Sequence, residues 1–395
     1  MSDPLAALFD RRSLGIRLGL ETMTAMWARV GRPCAGVPAI HVVGTNGKGS
    51  TSASCAHALH RHGRHVGLYT SPHLHRVGER VRIDGVAESD DALADAVARV
   101  LAEEGRAALP RPLSFFELLT LAAWLRFAAH GVDTIVAEAG MGGRYDATRI
   151  CDAAVVVVTS IDLDHRQFLG DTIAAIAGEK IAVARAGVPC FTCAQPAEAM
   201  AVIREHTSAI GAPLHVVAPL ARAPWGLPGE HQRSNAALAL AAARVLVPAV
   251  QPEDLDDVAW PGRFERIAHG GGVLVLDVAH NPAGARVLAD ALREHGLADA
   301  QQIVGCMADK DVAGIVAAIG ARSFAWVELA AFGSAGAPAP AGAAIVLRDA
   351  EQLRAHVDAA LARGETVCVW GSHVLVAAVR AWALGLPAAQ PGERG

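Results

Sequence analysis

The residues best placed to do chemistry begin at a glycine-rich turn. Residues 41–51 read His-Val-Val-Gly44-Thr45-Asn46-Gly47-Lys48-Gly49-Ser50-Thr51, an apolar strand running into a turn and then into an Ala-rich helical stretch. Small residues let the backbone wrap a phosphate chain, and the following helix N-terminus offers N–H donors and the positive end of its dipole. Lys48 adds a point charge for the β- and γ-phosphates, and a hydroxyl after it, on Ser50 or Thr51, can face Mg²⁺. The spacing departs from G-x-x-x-x-G-K-[ST]: Val42 stands where the first Gly belongs, and Gly49 separates Lys48 from Ser50. Such a loop names no reaction, because a kinase, a GTPase switch and a ligase all share it. No Asn-Lys-x-Asp base reader accompanies it.

Further groups recur at strand ends. Glu138 closes a strand and opens Ala-Gly-Met-Gly-Gly-Arg144-Tyr145-Asp146-Ala147-Thr148, the place where parallel sheets bind ligands, and its carboxylate is a hard ligand suited to Mg²⁺. His165 ends Thr159-Ser-Ile-Asp162-Leu-Asp164-His165 after another apolar strand. The two are expected to converge from neighbouring strands on one ion. Lys180 shares a helical stripe with Ile173, Ile176 and Ala177, so it should point inward. Asn235 follows Gly229-Glu-His231-Gln232, Arg263 lies in Pro-Gly-Arg, and Asp277 and His280 lie in Leu-Asp-Val-Ala-His-Asn-Pro. Cys190 and Cys193 form one isolated CxxC in a strand-like run and read as buried structural thiols.

The elements that must position these groups alternate. Strands are predicted at 39–43, 66–70, 134–138, 154–160 and 188–192, with helices at 50–61, 90–103, 116–130, 172–184 and 234–245. This order implies an α/β fold with a parallel sheet and right-handed crossovers. A second series has strands at 273–277, 302–306, 326–329, 344–347 and 366–370. Residues 260–272, rich in Pro and Gly, read as the hinge, and 331–343 as an exposed loop. The expected domains are 1–265, a P-loop parallel-sheet ATPase domain, and 266–395, a smaller Rossmann-like α/β domain.

Composition narrows the classes. The chain has 395 residues, of which 52% are hydrophobic, and a net charge of −5. It can bury a substantial core, and it lacks the basic stripe of a nucleic-acid binder. Mean hydropathy is +0.30, yet no apolar run approaches the roughly 18 residues of a membrane span. Seven cysteines without disulfide rhythm and an N-terminus without an apolar core lead to the expectation of a reduced, cytoplasmic protein.

Taken together, Gly44–Thr51, Tyr69-Thr-Ser71-Pro-His-Leu74, Glu79-Arg80, Ser114-Phe115-Phe116-Glu117, Glu138–Thr148, Thr159–His165, Gly229–Ala236, Pro261–Arg263, Leu276–Pro282 and Ala308–Asp311 resemble the folylpolyglutamate synthase/dihydrofolate synthase family of the Mur-ligase superfamily. The resemblance runs from about residue 18 to 380, with the motifs in the same order. It implies ATP-dependent joining of L-glutamate to dihydropteroate and to tetrahydrofolates through an acyl phosphate. By resemblance, Gly44–Thr51 with Asn235, Arg263 and Asp277 bind ATP from both domains. Ser71, Glu138 and His165 bind magnesium, as two ions, and Lys180 carries a CO₂-derived carbamate that adds a metal ligand. Leu18-Gly-Leu20-Glu21, Ser114–Glu117 and Tyr145, Asp146 and Ala147 form the pterin or folate pocket. His280 and Ser372 handle the incoming glutamate, with Lys48, Lys180 and His280 as catalytic groups. Tyr145 replaces a common Leu, and Thr22 a common Arg. The family implies a monomer whose partners are small molecules, with no nucleic acid and no membrane. A cell-wall Mur ligase and a P-loop ATPase without ligation are the alternatives.

Overall fold

The structure, a computed structural model, describes residues 3–15, 19–320 and 323–390. The chain divides into two compact units. The first comprises Met1–His73, Val77–Pro224 and Arg233–Val258, and the second Leu74–Arg76, Trp225–Gln232 and Ala259–Gly395.

The first unit is built on β1 (Pro38–Val43), β2 (Val66–Tyr69), β3 (Val81–Ile83), β4 (Val86–Ala87), β5 (Thr134–Glu138), β6 (Asp152–Val158), β7 (Cys190–Thr192) and β8 (Leu214–Val216). Their order is β4-β3-β2-β5-β1-β6-β7-β8. The pairs from β2 to β8 across the sheet are parallel, while β3 and β4 add an antiparallel edge. β1, β5 and most of β6 are buried on both faces, which is why they read as continuous Val/Ile/Ala runs rather than alternating ones. Helices Lys48–Arg61, Asp90–Glu104, Phe115–His130 and Ile173–Ile181 cover the sheet. The last three share a core that includes Tyr69, Trp124 and Phe127; the Tyr69 and Trp124 rings meet edge-on at 5.6 Å. From β1 the chain runs to β2 and β5 on one side and later to β6, β7 and β8 on the other. Crevices for ligands form at such reversals, beyond the strands' carboxyl ends.

The edge hairpin went unpredicted although its signal was present. Ile83-Asp84-Gly85-Val86 turns with Asp84 at φ 50° and Gly85 at φ 82°, the two left-handed residues of a type I′ turn. Asp84 Oδ2 lies 2.6 Å from His65 Nδ1, and its Oδ1 accepts the Val66 N–H at 2.8 Å and lies 3.2 Å from His60 Nδ1. The His130 carbonyl and the Asp84 carboxylate raise the His65 pKa above its ordinary 6.5. That stabilisation is therefore complete below pH 6.5 and is lost as pH climbs through the raised value. Asp84→Asn keeps a residue tolerant of the left-handed turn. It should lower stability, and with it Tm, more at about pH 6 than at about pH 9, with a loss of stability of no more than about 1 kcal/mol, because the pair is solvent-screened. Equal losses in melts at the two pH values would contradict this.

The second unit carries β9 (Glu265–His269), β10 (Gly272–Asp277), β11 (Gln301–Val304), β12 (Phe324–Val327), β13 (Ile345–Leu347) and β14 (Thr366–Trp370), ordered β13-β12-β11-β14-β10-β9. Five strands are parallel, and β9 runs antiparallel to β10. Residues 260–272 are thus not simply a hinge. Gly270 (φ 58°) and Gly271 (φ 96°) make a tight hairpin turn, and the division expected after residue 265 falls within β9. Gly and Pro content alone does not tell a linker from a hairpin. Residues 331–343 are largely irregular, as expected, though Ala337 is buried and Gly336 bridges to Met307. Among the described residues, no helix is long and apolar enough to cross a membrane.

Candidate active site

The glycine-rich turn joins β1 to the helix Lys48–Arg61. Gly44 has φ 146° and Gly47 has φ 90°, conformations that L side chains rarely adopt. A Cβ at Gly44 would strike the Thr159 hydroxyl, and one at Gly47 would strike the Asn235 side-chain amide. The turn is pinned to the loop after β6. The Thr45 N–H donates to the Ser160 carbonyl at 2.8 Å, and Asn46 pairs with Ser160 as an isolated bridge. The Thr45 hydroxyl donates to the Asp162 carbonyl and accepts the Asp162 N–H, both at 3.1 Å. Lys48 is half-buried, and its Nζ donates to the Thr45 carbonyl at 3.2 Å. Gly49, Ser50 and Thr51 are buried in the first helical turn. Thr51 Oγ1 has no hydrogen-bond partner among the described residues.

Lys180 arrives from behind. Its helix, Ile173–Ile181, is shorter than the predicted 172–184 and is capped by the Thr172 hydroxyl, which accepts the Ala175 N–H. The stripe faces inward as read: Ile176, Ala177 and Lys180 are buried, and Ile173 is half-buried against the core. Lys180 Nζ donates to the Gly44 carbonyl at 2.7 Å. Burial, then the charge of Lys48, pulls its pKa down to about 7 against the opposing pull of Asp164 and Asp146. Burial thus favours the neutral amine over the ammonium.

Glu138 and His165 do not stand on neighbouring strands as expected, because β1 lies between β5 and β6. The Val-rich runs cannot disclose sheet order. Glu138, at the end of β5, is buried, and its Oε2 accepts the Ser71 N–H at 3.2 Å. Ser71 follows β2, the strand next to β5. His165 lies beyond the end of β6 in a left-handed conformation (φ 51°) at the N-cap of the short helix Arg166–Leu169, with Nε2 4.0 Å from Asp164 Oδ2. Among the described residues, no group of three or more His, Cys, Asp or Glu side chains could hold a metal. A buried carboxylate beside a serine nevertheless fits magnesium, which binds through one or two carboxylates and completes its shell with phosphate and water.

The residues expected around a pterin fall into three segments of the first unit. Leu20 caps the helix Glu21–Arg29, with Glu21 exposed; Leu18 lies outside the described residues. Ser114 and Glu117 form a capping box on the helix Phe115–His130. The sequence carries that signature, so part of the motif is explained by helix capping. Phe115 stacks on Phe9 at 6.0 Å, and Phe116 lies 5.7 Å from Tyr69. Tyr145 is exposed, while Asp146 and Ala147 are buried. Burial raises the Asp146 pKa, opposed by donors from its own loop: the N–H groups of Gly140, Met141 and Thr148 and the Thr148 hydroxyl. Asp146 thus organises the loop that crosses the Lys180 helix, where the Arg144 N–H donates to the Glu179 carbonyl.

In the second unit Asp277 and Trp370 are paired at the ends of β10 and β14. This brings Asp277, His280 and Ser372 to one end of that sheet. Asp277 accepts the N–H groups of Phe264 at 2.9 Å and Ala279 at 2.8 Å. Burial raises its pKa, and Arg263 is the largest opposing charge. His280 Nδ1 lies 2.8 Å from the Val278 carbonyl, and its ring is 5.6 Å from that of His373. Ser372 is buried and caps the helix His373–Leu384.

Sequence reasoning missed the residues that brace the loop after β6. Gln195 Nε2 donates to the Thr159 carbonyl at 2.8 Å, and its Oε1 accepts the Ile161 N–H at 2.9 Å. The only signal was a polar residue just past a strand end. Cys190 and Cys193 are buried, with pKa values raised by that burial, which agrees with the structural reading.

The family model for the Mur ligase, glutamate ligase domain matches residues 262–376. The dihydrofolate synthase/folylpolyglutamate synthase of Bacillus subtilis is 34% identical over 328 residues, covering 74% of this chain and 76% of that one. A probable bifunctional folylpolyglutamate synthase/dihydropteroate synthase of Haloferax volcanii is 37% identical over 348 residues, covering 79% of this chain. The chain spans only 41% of that archaeal protein's length. The solved structure of E. coli FolC with DHPP and ADP superposes with a TM-score of 0.84 at 31% identity, covering 97% of this chain and 98% of that one. An FPGS–AMPPCP–folate complex gives 0.82 at 30% identity, covering 97% and 99%. With a phosphate-type loop backed by a buried lysine in one unit and a Rossmann-like sheet in the other, the chain belongs to the folylpolyglutamate synthase/dihydrofolate synthase family of ligases.

Proposed function

We propose that the chain joins the amine of L-glutamate to the carboxylate of dihydropteroate, giving dihydrofolate, and to tetrahydrofolates, giving polyglutamates, at the expense of ATP. The observation that carries this reading is the arrangement around Gly44. A glycine turn at a helix N-terminus holds Lys48 in front and a buried lysine, Lys180, on its carbonyl behind, with Glu138 at the end of β5 bonded to Ser71 just past β2. A carboxylate oxygen of the pterin substrate attacks the γ-phosphorus and ADP leaves. The glutamate nitrogen then attacks the acyl carbon, loses a proton, and phosphate departs.

In this scheme residues 44–51 cradle the triphosphate through backbone N–H groups, and Lys48 opposes the charge that gathers on the transferring group. Asn235, Arg263 and Asp277 hold ATP, and Leu20, Glu21, Ser114–Glu117 and Tyr145–Ala147 hold the pterin. His280 and Ser372 receive glutamate. Glu138, Ser71 and His165 would hold magnesium, which supplies charge neutralisation at the phosphates. Lys180, as the carbamate formed when its neutral amine adds to CO₂ with loss of a proton, would supply another anionic oxygen for a second ion. Glu138→Gln keeps the size but removes the charge. It should raise the Mg²⁺ concentration needed for half-maximal turnover by about tenfold or more; a titration matching the parent would remove Glu138 from the ligand set.

The reading as a whole is tested by ADP formation from purified protein given glutamate with dihydropteroate, tetrahydrofolate or a UDP-sugar substrate. Turnover with the pterins alone is expected. Turnover with the UDP-sugar would favour a cell-wall ligase, and ADP release indifferent to glutamate would favour a simple ATPase.

A further inference from the structure

Arg111 has no place in the scheme above, yet it joins two of the segments assigned to the pterin. It sits in the loop between the helices Asp90–Glu104 and Phe115–His130. Its Nη1 donates to Glu117 Oε2 at 2.7 Å and its Nη2 to Glu117 Oε1 at 2.8 Å, a bidentate, charge-assisted pair. Glu117 is buried, and the same Oε2 accepts the Ser114 N–H at 2.8 Å. Arg111 Nη2 also reaches across the fold to the Gly19 carbonyl at 3.3 Å, and Nη1 donates to the Pro112 carbonyl at 3.1 Å. One guanidinium therefore ties the start of the Phe115–His130 helix to the segment that leads into Leu20 and Glu21. The pair with Glu117, followed by the charges of Glu117 and Glu21, holds the Arg111 pKa above its ordinary value despite partial burial.

Leu113, two residues after Arg111 at the same end of the loop, is tied separately. Glu104 Oε1 accepts the Leu113 N–H at 2.7 Å, and Arg11 Nη1 donates to the Leu113 carbonyl at 3.0 Å. The loop thus keeps an anchor without Arg111, and losing Arg111 frees the Gly19–Glu21 segment rather than the helix core. Gly19 is itself constrained, with φ 117° and space for a Cβ closed by the Glu21 carboxylate.

We propose that Arg111 is a positioning residue for the pterin: it clasps the Gly19–Glu21 and Ser114–Glu117 segments into one rigid wall, so that affinity for the pterin substrate depends on it while the chemistry does not. This rests on the proposed function. A preformed wall spares the ligand the cost of ordering it, and only a planar fork satisfies both carboxylate oxygens together with the Gly19 carbonyl.

The test is steady-state kinetics of Arg111→Gln and Arg111→Lys in the full chain, varying dihydropteroate, ATP and glutamate in turn, with a melting curve for each variant. Arg111→Gln is expected to raise KM for dihydropteroate by about tenfold, leaving kcat and the KM values for ATP and glutamate within about twofold of the parent. Arg111→Lys should fall between. If Arg111→Gln does not fold, Arg111→Lys decides, and a parent-like KM for dihydropteroate overturns the clasp. So does a variant in which kcat and all three KM values worsen together with Tm, because that marks a merely structural residue. A parent enzyme without pterin-dependent turnover fails the proposed function itself, and the clasp with it. An active parent with an unchanged Arg111→Gln overturns the clasp alone.

Discussion

Lys48→Ala is expected to lose turnover by about 100-fold or more while its melting curve stays that of the parent. Lys48 opens the helix Lys48–Arg61 and is half-buried, with Nζ on the Thr45 carbonyl. A cation in the first turn of a helix opposes the helix dipole, so it contributes little to stability. In the proposed scheme its value lies in meeting the charge that shifts between the phosphates in the transition state. The measurement is kcat with saturating ATP, beside thermal unfolding of both proteins. Parent-like turnover in a folded variant would remove Lys48 from the phosphate site.

Lys180→Ala is the second large effect. Turnover should fall by about 100-fold, and added formate or acetate should restore part of it. The side chain is buried against the Gly44 carbonyl, with its pKa drawn down to about 7. A lysine serving only as a structural hydrogen-bond donor would be replaced by no carboxylate. Rescue by carboxylate therefore separates a carbamate from an ammonium. Parent-like activity, or loss of activity that no short carboxylate restores, would contradict the carbamate assignment.

Much of this was legible in the residues, for identifiable reasons. β5 and β14 match their predicted spans because each is a short apolar run with clear flanks. The inward face of Lys180 followed from helical spacing alone. Strand order did not follow, since Val-rich strands buried on both faces carry no record of their neighbours, and so the strands that lead to Glu138 and His165 were taken as adjacent although β1 separates them. Short edge strands escaped for a different reason. β4 has two residues and β8 has three, too few for periodicity to register, and β9 was hidden by the Pro and Gly around it. Among the candidate site residues, Ser114, Glu117, Asp146 and Ser372 also make bonds that any helix cap or tight loop needs. Residue type alone cannot divide those structural duties from ligand binding. Arg111 and Gln195 act through what they hold, and nothing in their immediate sequence announces a partner distant in the chain.

The central claim is that the pterin carboxylate is activated as an acyl phosphate at the Gly44–Thr51 turn. The most direct measurement supplies dihydropteroate whose carboxylate oxygens carry a heavy-oxygen label, together with ATP and L-glutamate, and follows the released phosphate by mass spectrometry. The account predicts that the phosphate carries one labelled oxygen from the carboxylate and that the pterin gains one glutamyl group for each ADP formed. Unlabelled phosphate accompanying the same amide product would contradict it.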